Sequence, residues 1–162
     1  EGDVRLHEVE LHDRAGTRDP VSAERSDHEL ITDVLVRYAT GIDTKNWPLF
    51  RTCFTDDVRA DYGADVGSWT DVDSITEYMT VMHADMVDTK HRLTNFVIEI
   101  DGDSATASTY VHAVLVVTHD PLTWYEPVGR YEDRLVRTAD GWRISHRVYH
   151  STRMLSSHPL PS

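Results

Sequence analysis

The chain predicts an α+β fold: a curved, mostly antiparallel sheet wrapped as a barrel or cone around a pocket that N-terminal helices close. Helical spacing is confined to the first half, ahead of a run of long strands. Two tight-turn signals, Asp101-Gly102 and Ala139-Asp140-Gly141, each join β-rich stretches. The hairpin around the first turn also gathers polar residues among apolar neighbours, as a pocket wall would.

Taken in order, residues 1–22 mix charges, His and Gly without a clean period and read as a mobile arm. Val4, Leu6, Val9 and Leu11 are spaced to add a short edge strand. The domain spans 23–155, with a polar tail at 156–162. Ser26 opens a helix with Glu29 at capping-box distance, and Leu30, Ile31, Val34, Leu35, Tyr38 and Ala39 carry it to about Gly41. Asp43 extends the Leu35–Ala39 ridge, so a carboxylate points toward the interior. A short helix is predicted from Pro48 to Phe54, then a strand from Val58 to Tyr62 and a Gly-containing loop from Gly63 to Thr70. Asp71 or Asp73 caps a third helix to about Met86. Ile75, Met79, Met82 and Met86 form its inner face, a soft lid for an apolar cavity, while His83 beside them is expected to meet solvent. Trp47 and Trp69 suit the pocket mouth.

The hairpin from His91 to Val117 comes next. With Asp101 and Gly102 as its loop, Ile100 pairs with Asp103, His91 faces His112, Leu93 faces Tyr110, and Asn95 faces Ser108. Directly opposed residues share a face, so these side chains would line one wall. Tyr125–Thr138 and Trp142–Met154 complete the sheet. The hairpin strands are apolar on both faces, with Phe96, Ile98 and Ile100 on one and Leu93, Val97, Val114 and Val116 on the other. A homodimer or higher homo-oligomer is therefore expected to cover the side away from the helices.

Composition narrows the function classes. Lys plus Arg number 16 against 28 Asp plus Glu, a formal charge of −12, which repels nucleic-acid backbones and anionic membranes. No apolar stretch approaches a membrane span. Cys53 is the only cysteine, excluding an intrachain disulfide, and Glu1–Asp19 shows no signal-peptide core. A cytoplasmic location is expected, and the missing initial Met suggests upstream trimming.

Several segments resemble the nuclear-transport-factor-2-like superfamily, and within it the SnoaL-like polyketide cyclases, scytalone dehydratase and bile-acid 7α-dehydratase. They are Arg37-Tyr38-Ala39-Thr40-Gly41-Ile42-Asp43, Cys53-Phe54-Thr55-Asp56-Asp57-Val58, Lys90-His91-Arg92-Leu93-Thr94-Asn95 and Asp140-Gly141-Trp142-Arg143-Ile144. The resemblance runs from about Ser26 to Leu155. It implies a catalytic Asp43–His91 dyad, with Tyr38 and Tyr62 contacting substrate oxygens and His112 as a second pocket histidine. Asn95, Ser108, Tyr110, Trp47 and, from the last strand, Arg153 would contact the substrate.

Such a set suits a cofactor-independent dehydratase or cyclase, in the lyase or isomerase class. Its substrate would be a hydrophobic oxygenated polycycle, such as an aromatic polyketide of antibiotic biosynthesis or a steroid-like compound. A base removes a proton next to a carbonyl, a donor steadies the enolate, and an acid protonates the departing oxygen. Histidine can serve first and last. No metal or other cofactor is required. Two other readings compete: a non-catalytic binding or assembly subunit, as in ring-hydroxylating dioxygenases, and an epoxide hydrolase. The latter needs an Asp/Arg/Asp set, and no second interior Asp is evident. A metal site is disfavoured too. His146 and His150 on one strand lie about 13 Å apart at about 3.3 Å per residue, leaving His91, His112 and Asp43 as the one facial set.

Overall fold

The computed structural model describes residues 25–158, apart from 118 and 121. The expected N-terminal arm and its edge strand, and most of the C-terminal tail, lie outside the described residues. Helix α1 (Asp27–Asp43) begins as its sequence dictates. The Ser26 hydroxyl accepts from the Glu29 N–H at 3.3 Å, and the Glu29 carboxylate accepts from the Ser26 N–H at 2.8 Å. Two N–H groups that the helix itself cannot satisfy are thereby paired. The face with Ile31, Val34, Leu35, Tyr38 and Ile42 is buried. The helix runs past Gly41, making Asp43 its last residue.

Helix α2 (Trp47–Arg51) is capped by Asn46, whose side chain accepts from the Leu49 N–H. It sits tightly on α1, because a Cβ at Gly41 would lie 2.9 Å from the Phe50 backbone nitrogen. The helix ends earlier than expected because Phe54 already belongs to β1 (Phe54–Asp61), opposite Ile144 in the sheet. The Gly-containing loop carries a short edge strand, β2 (Ser68–Trp69), paired with Ala60 and Asp61. Helix α3 (Val72–Met82) takes Asp71 as its cap and stops at His83. Met86 is thus not on the helix. It opens β3 (Met86–Asp101), followed by β4 (Ser104–Val117), β5 (Trp124–Thr138) and β6 (Gly141–Ser156).

The six strands form one curved, open sheet in the order β2-β1-β6-β5-β4-β3, antiparallel except between β1 and β6. The fold is α+β, as predicted, with the helices on one face. The core lies between them, where Leu35, Phe50, Ile75, Leu135, Trp142 and Ile144 are all buried.

The register of the first hairpin differs from expectation. Asp101 pairs with Ser104, so the two-residue loop is Gly102-Asp103. Gly102 takes φ +57° while Asp103 keeps a negative φ, which places the glycine first in the turn. Arg137 holds Asp103 there through both its backbone N–H and its guanidinium. Further along, Val97 pairs with Ser108 but Thr94 pairs with Tyr110, so Asn95 and Phe96 together face Thr109. This is a β-bulge, with Asn95 in the left-handed region at φ +53°. Beyond it His91 lies opposite Ala113, and His112 lies opposite Arg92 on the other face of the sheet. The expected pairs His91–His112, Leu93–Tyr110 and Asn95–Ser108 do not form.

A second bulge lies in β6. Leu135 pairs with Ile144 but Arg134 with His146, leaving Ser145 as the extra residue. A third separates Val128↔Arg153 from Gly129↔Ser151. Each bulge exchanges which side chains face the helices.

Candidate active site

Between the helices and the sheet lies a cavity of about 130 Å³. His91 lines it from β3, and Asp43, the last residue of α1, lies outside the lining and is bonded to the His91 ring. The His91 Nδ1 is 2.7 Å from Asp43 Oδ1, and the His91 backbone N–H donates to Oδ2 at 2.8 Å. The Thr89 hydroxyl also donates to Oδ1 at 3.1 Å. A helix C-terminus disfavours a carboxylate, since the last carbonyls already present partial negative charge. Here three donors outweigh that. Burial pushes the Asp43 pKa up, but the bonds from the His91 ring, the His91 N–H and Thr89 hold it below the usual carboxylate range. An ionised Asp43 can only accept, so Nδ1 of His91 donates to it and Nε2 is the ring nitrogen that Asp43 leaves unengaged.

Opposite this dyad stands a cluster of buried tyrosines. Tyr38 OH is 2.8 Å from Tyr62 OH and 3.4 Å from Tyr131 OH. Burial raises the pKa of all three, so the phenols keep their protons. Three hydroxyls joined by two contacts leave one proton uncommitted, available to a ligand oxygen. Behind them Arg147, fully buried, makes a two-pronged pair with Asp133 at 2.7 and 2.8 Å. Its guanidinium carbon sits 4.0 Å from the Tyr38 ring centre and 4.1 Å from that of Tyr131. Burial alone would disfavour that charge, but Asp133 sustains it and raises the arginine's pKa.

The remaining wall is mainly apolar, built from Ile42, Met79, Met82, Val111, Ala113 and Leu115. His83 lines it as well. Expected at the surface, it is only 1% exposed, because α3 ends there and the ring folds back to the Met79 carbonyl at 2.9 Å.

The structure thus brings His91, Asp43, Tyr38 and Tyr62 together and disperses most of the other expected residues. His112 is on the outer face, bonded to Glu126 at 3.0 Å. Tyr110 is exposed and Ser108 half-buried on that same face, and Asn95 is exposed in the bulge. Arg153 is exposed and does not line the cavity. Trp47 packs behind His83, with ring centres 6.0 Å apart, outside the cavity lining. Loss of His112 also breaks the facial metal set. A second interior Asp does exist, Asp133, but both its oxygens are committed to Arg147 and neither residue lines the cavity. Sequence reasoning missed Tyr131, Tyr149, Arg147 and His83. A strict alternation from Trp142 through Ile144 would point His146 inward, whereas the Ser145 bulge puts Arg147 and Tyr149 there, opposite Asp133 and Tyr131.

Comparisons with known proteins agree with this architecture. An uncharacterized protein of Mycobacterium tuberculosis, Rv2910c, is 32% identical over 126 residues, covering 78% of this chain and 86% of that protein. The crystal structure of the Kfla4162 protein from Kribbella flavida superposes with a TM-score of 0.75 at 27% identity, over 82% of this chain and 95% of that one. A Novosphingobium aromaticivorans protein assigned as a scytalone dehydratase gives a TM-score of 0.74 at 17% identity, covering 83% of this chain and 89% of that chain. At that identity the likeness is one of fold. The SnoaL-like domain family matches residues 23–148, so the chain belongs to the SnoaL-like family.

Proposed function

We propose that the protein is a cofactor-independent dehydratase or cyclase, a lyase or isomerase that acts on a hydrophobic, oxygenated ring compound. The observation that carries this reading is the His91–Asp43 dyad. Two hydrogen bonds, at 2.7 and 2.8 Å, fix ring and backbone together and leave Nε2 bare beside an apolar cavity with a tyrosine donor. In the dehydration, Nε2 takes the proton from the carbon next to the substrate's carbonyl. The C–H electrons move into an enolate, whose oxygen accepts the uncommitted tyrosine proton as a hydrogen bond. The imidazolium, steadied by Asp43, then gives its proton to the β-hydroxyl. The C–O bond breaks, water leaves, and the enolate electrons form the conjugated C=C while the carbonyl is restored. Ring closure would begin with the same enolisation, the enolate carbon attacking a second carbonyl.

Cavity size refines the expected polycycle. An apolar cavity of roughly 150 Å³ takes up benzene, so about 130 Å³ encloses one ring. Further rings of an aromatic polyketide or steroid-like substrate would lie outside the enclosed part. The test is turnover of 3-hydroxycyclohexanone and of scytalone, followed by the absorbance of the product. Wild type should convert at least one, and His91→Ala and Asp43→Asn should each be slower by about two orders of magnitude or more. Wild-type rates in both variants, with thermal melts showing them folded, would remove the mechanism.

A further inference from the structure

Two cavity-lining side chains, His83 and Tyr149, hold a buried polar atom that has no hydrogen-bond partner among the described residues and no role in that reaction. The His83 ring lines the cavity and is 1% exposed, yet its Nε2 has no hydrogen-bond partner among the described residues. Its tautomer follows from its other nitrogen. Nδ1 lies 2.9 Å from the Met79 carbonyl, which can only accept, so Nδ1 carries the proton. Nε2 of the neutral ring is therefore a lone pair without a donor. Burial, the dominant influence, lowers the His83 pKa and keeps the ring neutral. Such a ring cannot serve as the acid for a leaving group, because its one proton is held by the helix. It can accept. A buried acceptor left without a donor is uncommon and costly, which makes it a place where a ligand's donor is favoured.

The neighbours say what that donor would be. His91 sits across from His83, with ring centres 6.5 Å apart, and its Nε2 must stay free to attack a C–H bond. The tyrosine cluster has a proton to offer and so suits a carbonyl. Ile42, Met79, Met82, Val111, Ala113 and Leu115 offer no side-chain hydrogen bond that could compensate a buried hydroxyl. The unpartnered Tyr149 hydroxyl carries a proton of its own and can donate, whereas His83 Nε2 can only accept, so a hydroxyl that enters with the enclosed ring finds its dedicated acceptor at His83.

We propose that His83 is a substrate-binding residue whose Nε2 accepts a hydrogen bond from a hydroxyl on the enclosed ring, one the reaction retains. The substrate class narrows to single-ring or terminal-ring compounds that carry a free hydroxyl besides the reacting carbonyl. The inference rests on the cavity being the substrate site, and deepens that reading.

The test uses phenol, which fits about one ring and donates, against anisole, its methyl ether, which cannot. Both are titrated into wild type, His83→Phe, His91→Ala and Asp43→Asn. Affinity is read by calorimetry and the histidine ¹⁵N resonances by NMR, with thermal melts to confirm folding. Wild type should bind phenol about tenfold more tightly than anisole, as expected when one buried acceptor goes from unpaired to paired. The unprotonated nitrogen of His83 should shift upfield with phenol alone. His83→Phe, which keeps the ring's shape, should lose the preference, while His91→Ala and Asp43→Asn keep it. Equal affinities in wild type, a preference that survives in His83→Phe, or one lost in His91→Ala instead would each overturn the proposal. Absence of β-hydroxy ketone turnover with the phenol preference intact would remove the proposed reaction and leave the His83 contact. Turnover with equal affinities would do the reverse.

Discussion

At the residue scale, two hydrogen-bonded acid–base pairs have different uses. His91 lines the cavity, and its bond to Asp43 engages one ring nitrogen and leaves the other for chemistry. Asp133 and Arg147 are sealed beneath the tyrosines, and neither reaches the cavity lining. Removing one partner of a sealed pair strands the other charge, so Asp133→Ala should cost about 3–5 kcal/mol in urea denaturation. A double replacement, Asp133→Leu with Arg147→Met, should recover part of that loss, because no charge is left unpaired. If the single variant is as stable as wild type, the pair contributes nothing. Cys53 is a quieter case. It is buried, and its thiol is pushed up to about 11, so it should resist alkylation until the protein unfolds.

At the element scale, bulges decide which side chains meet the helices. Asn95 carries the first one at a positive φ that glycine and asparagine tolerate and β-branched residues do not. Asn95→Val should therefore lower stability by about 1–2 kcal/mol, whereas Asn95→Gly should be close to neutral. Deleting Asn95 should abolish turnover, because restored alternation carries His91 to the outer face. A chevron and an activity assay on the three variants would separate strain from misplacement. Gly129 marks the third bulge. A Cβ there would lie 2.3 Å from the His150 carbonyl oxygen and 2.6 Å from the Tyr149 ring. Gly129→Ala should push Tyr149 toward the cavity and destabilise by about 1–3 kcal/mol.

At the scale of the whole molecule, the start of α1 is clamped to the β5–β6 hairpin. Arg137 donates to both Asp27 oxygens, at 2.7 and 2.6 Å, and Trp142 Nε1–H donates to Oδ1 at 3.0 Å. The Arg137 bonds, then the Trp142 bond, lower the Asp27 pKa from 3.8 to about 2. A depressed carboxylate pKa contributes stability that is complete above its unfolded value and lost as pH falls through the folded one. The urea midpoint of wild type should accordingly fall from pH 3.8 toward about 2 more steeply than that of Asp27→Asn. Equal slopes would show that the clamp is not felt. The outer sheet face is less apolar than expected, since Leu93 turns to the helix side and Arg92, Glu99, Glu132 and Arg134 stand among Val97, Val114 and Val116. The homo-oligomer remains a proposal for sedimentation to test. Among the described residues no helix is long and apolar enough to cross a membrane.

The family resemblance singled out Tyr38, Asp43, Tyr62 and His91. The sequence by itself determined the order of the three helices and of every strand but β2, the Ser26 cap, the Asp71 cap as one of two alternatives, and the strand-joining turns to within a residue. These rest on local chemistry: periodicity, capping side chains, and glycines where φ is positive. The tertiary structure alone decided the rest. Asn95 and Ser145 look ordinary within alternating strands, and only the packing of helices over the sheet shows which residue is expelled as the extra one. Each expulsion reverses a face. That reversal removed His112 from the site, admitted Tyr149 and placed Arg147 behind it. His83 escaped notice for a related reason: its helix ends at that residue, and a helix end is fixed by what the following strand pairs with.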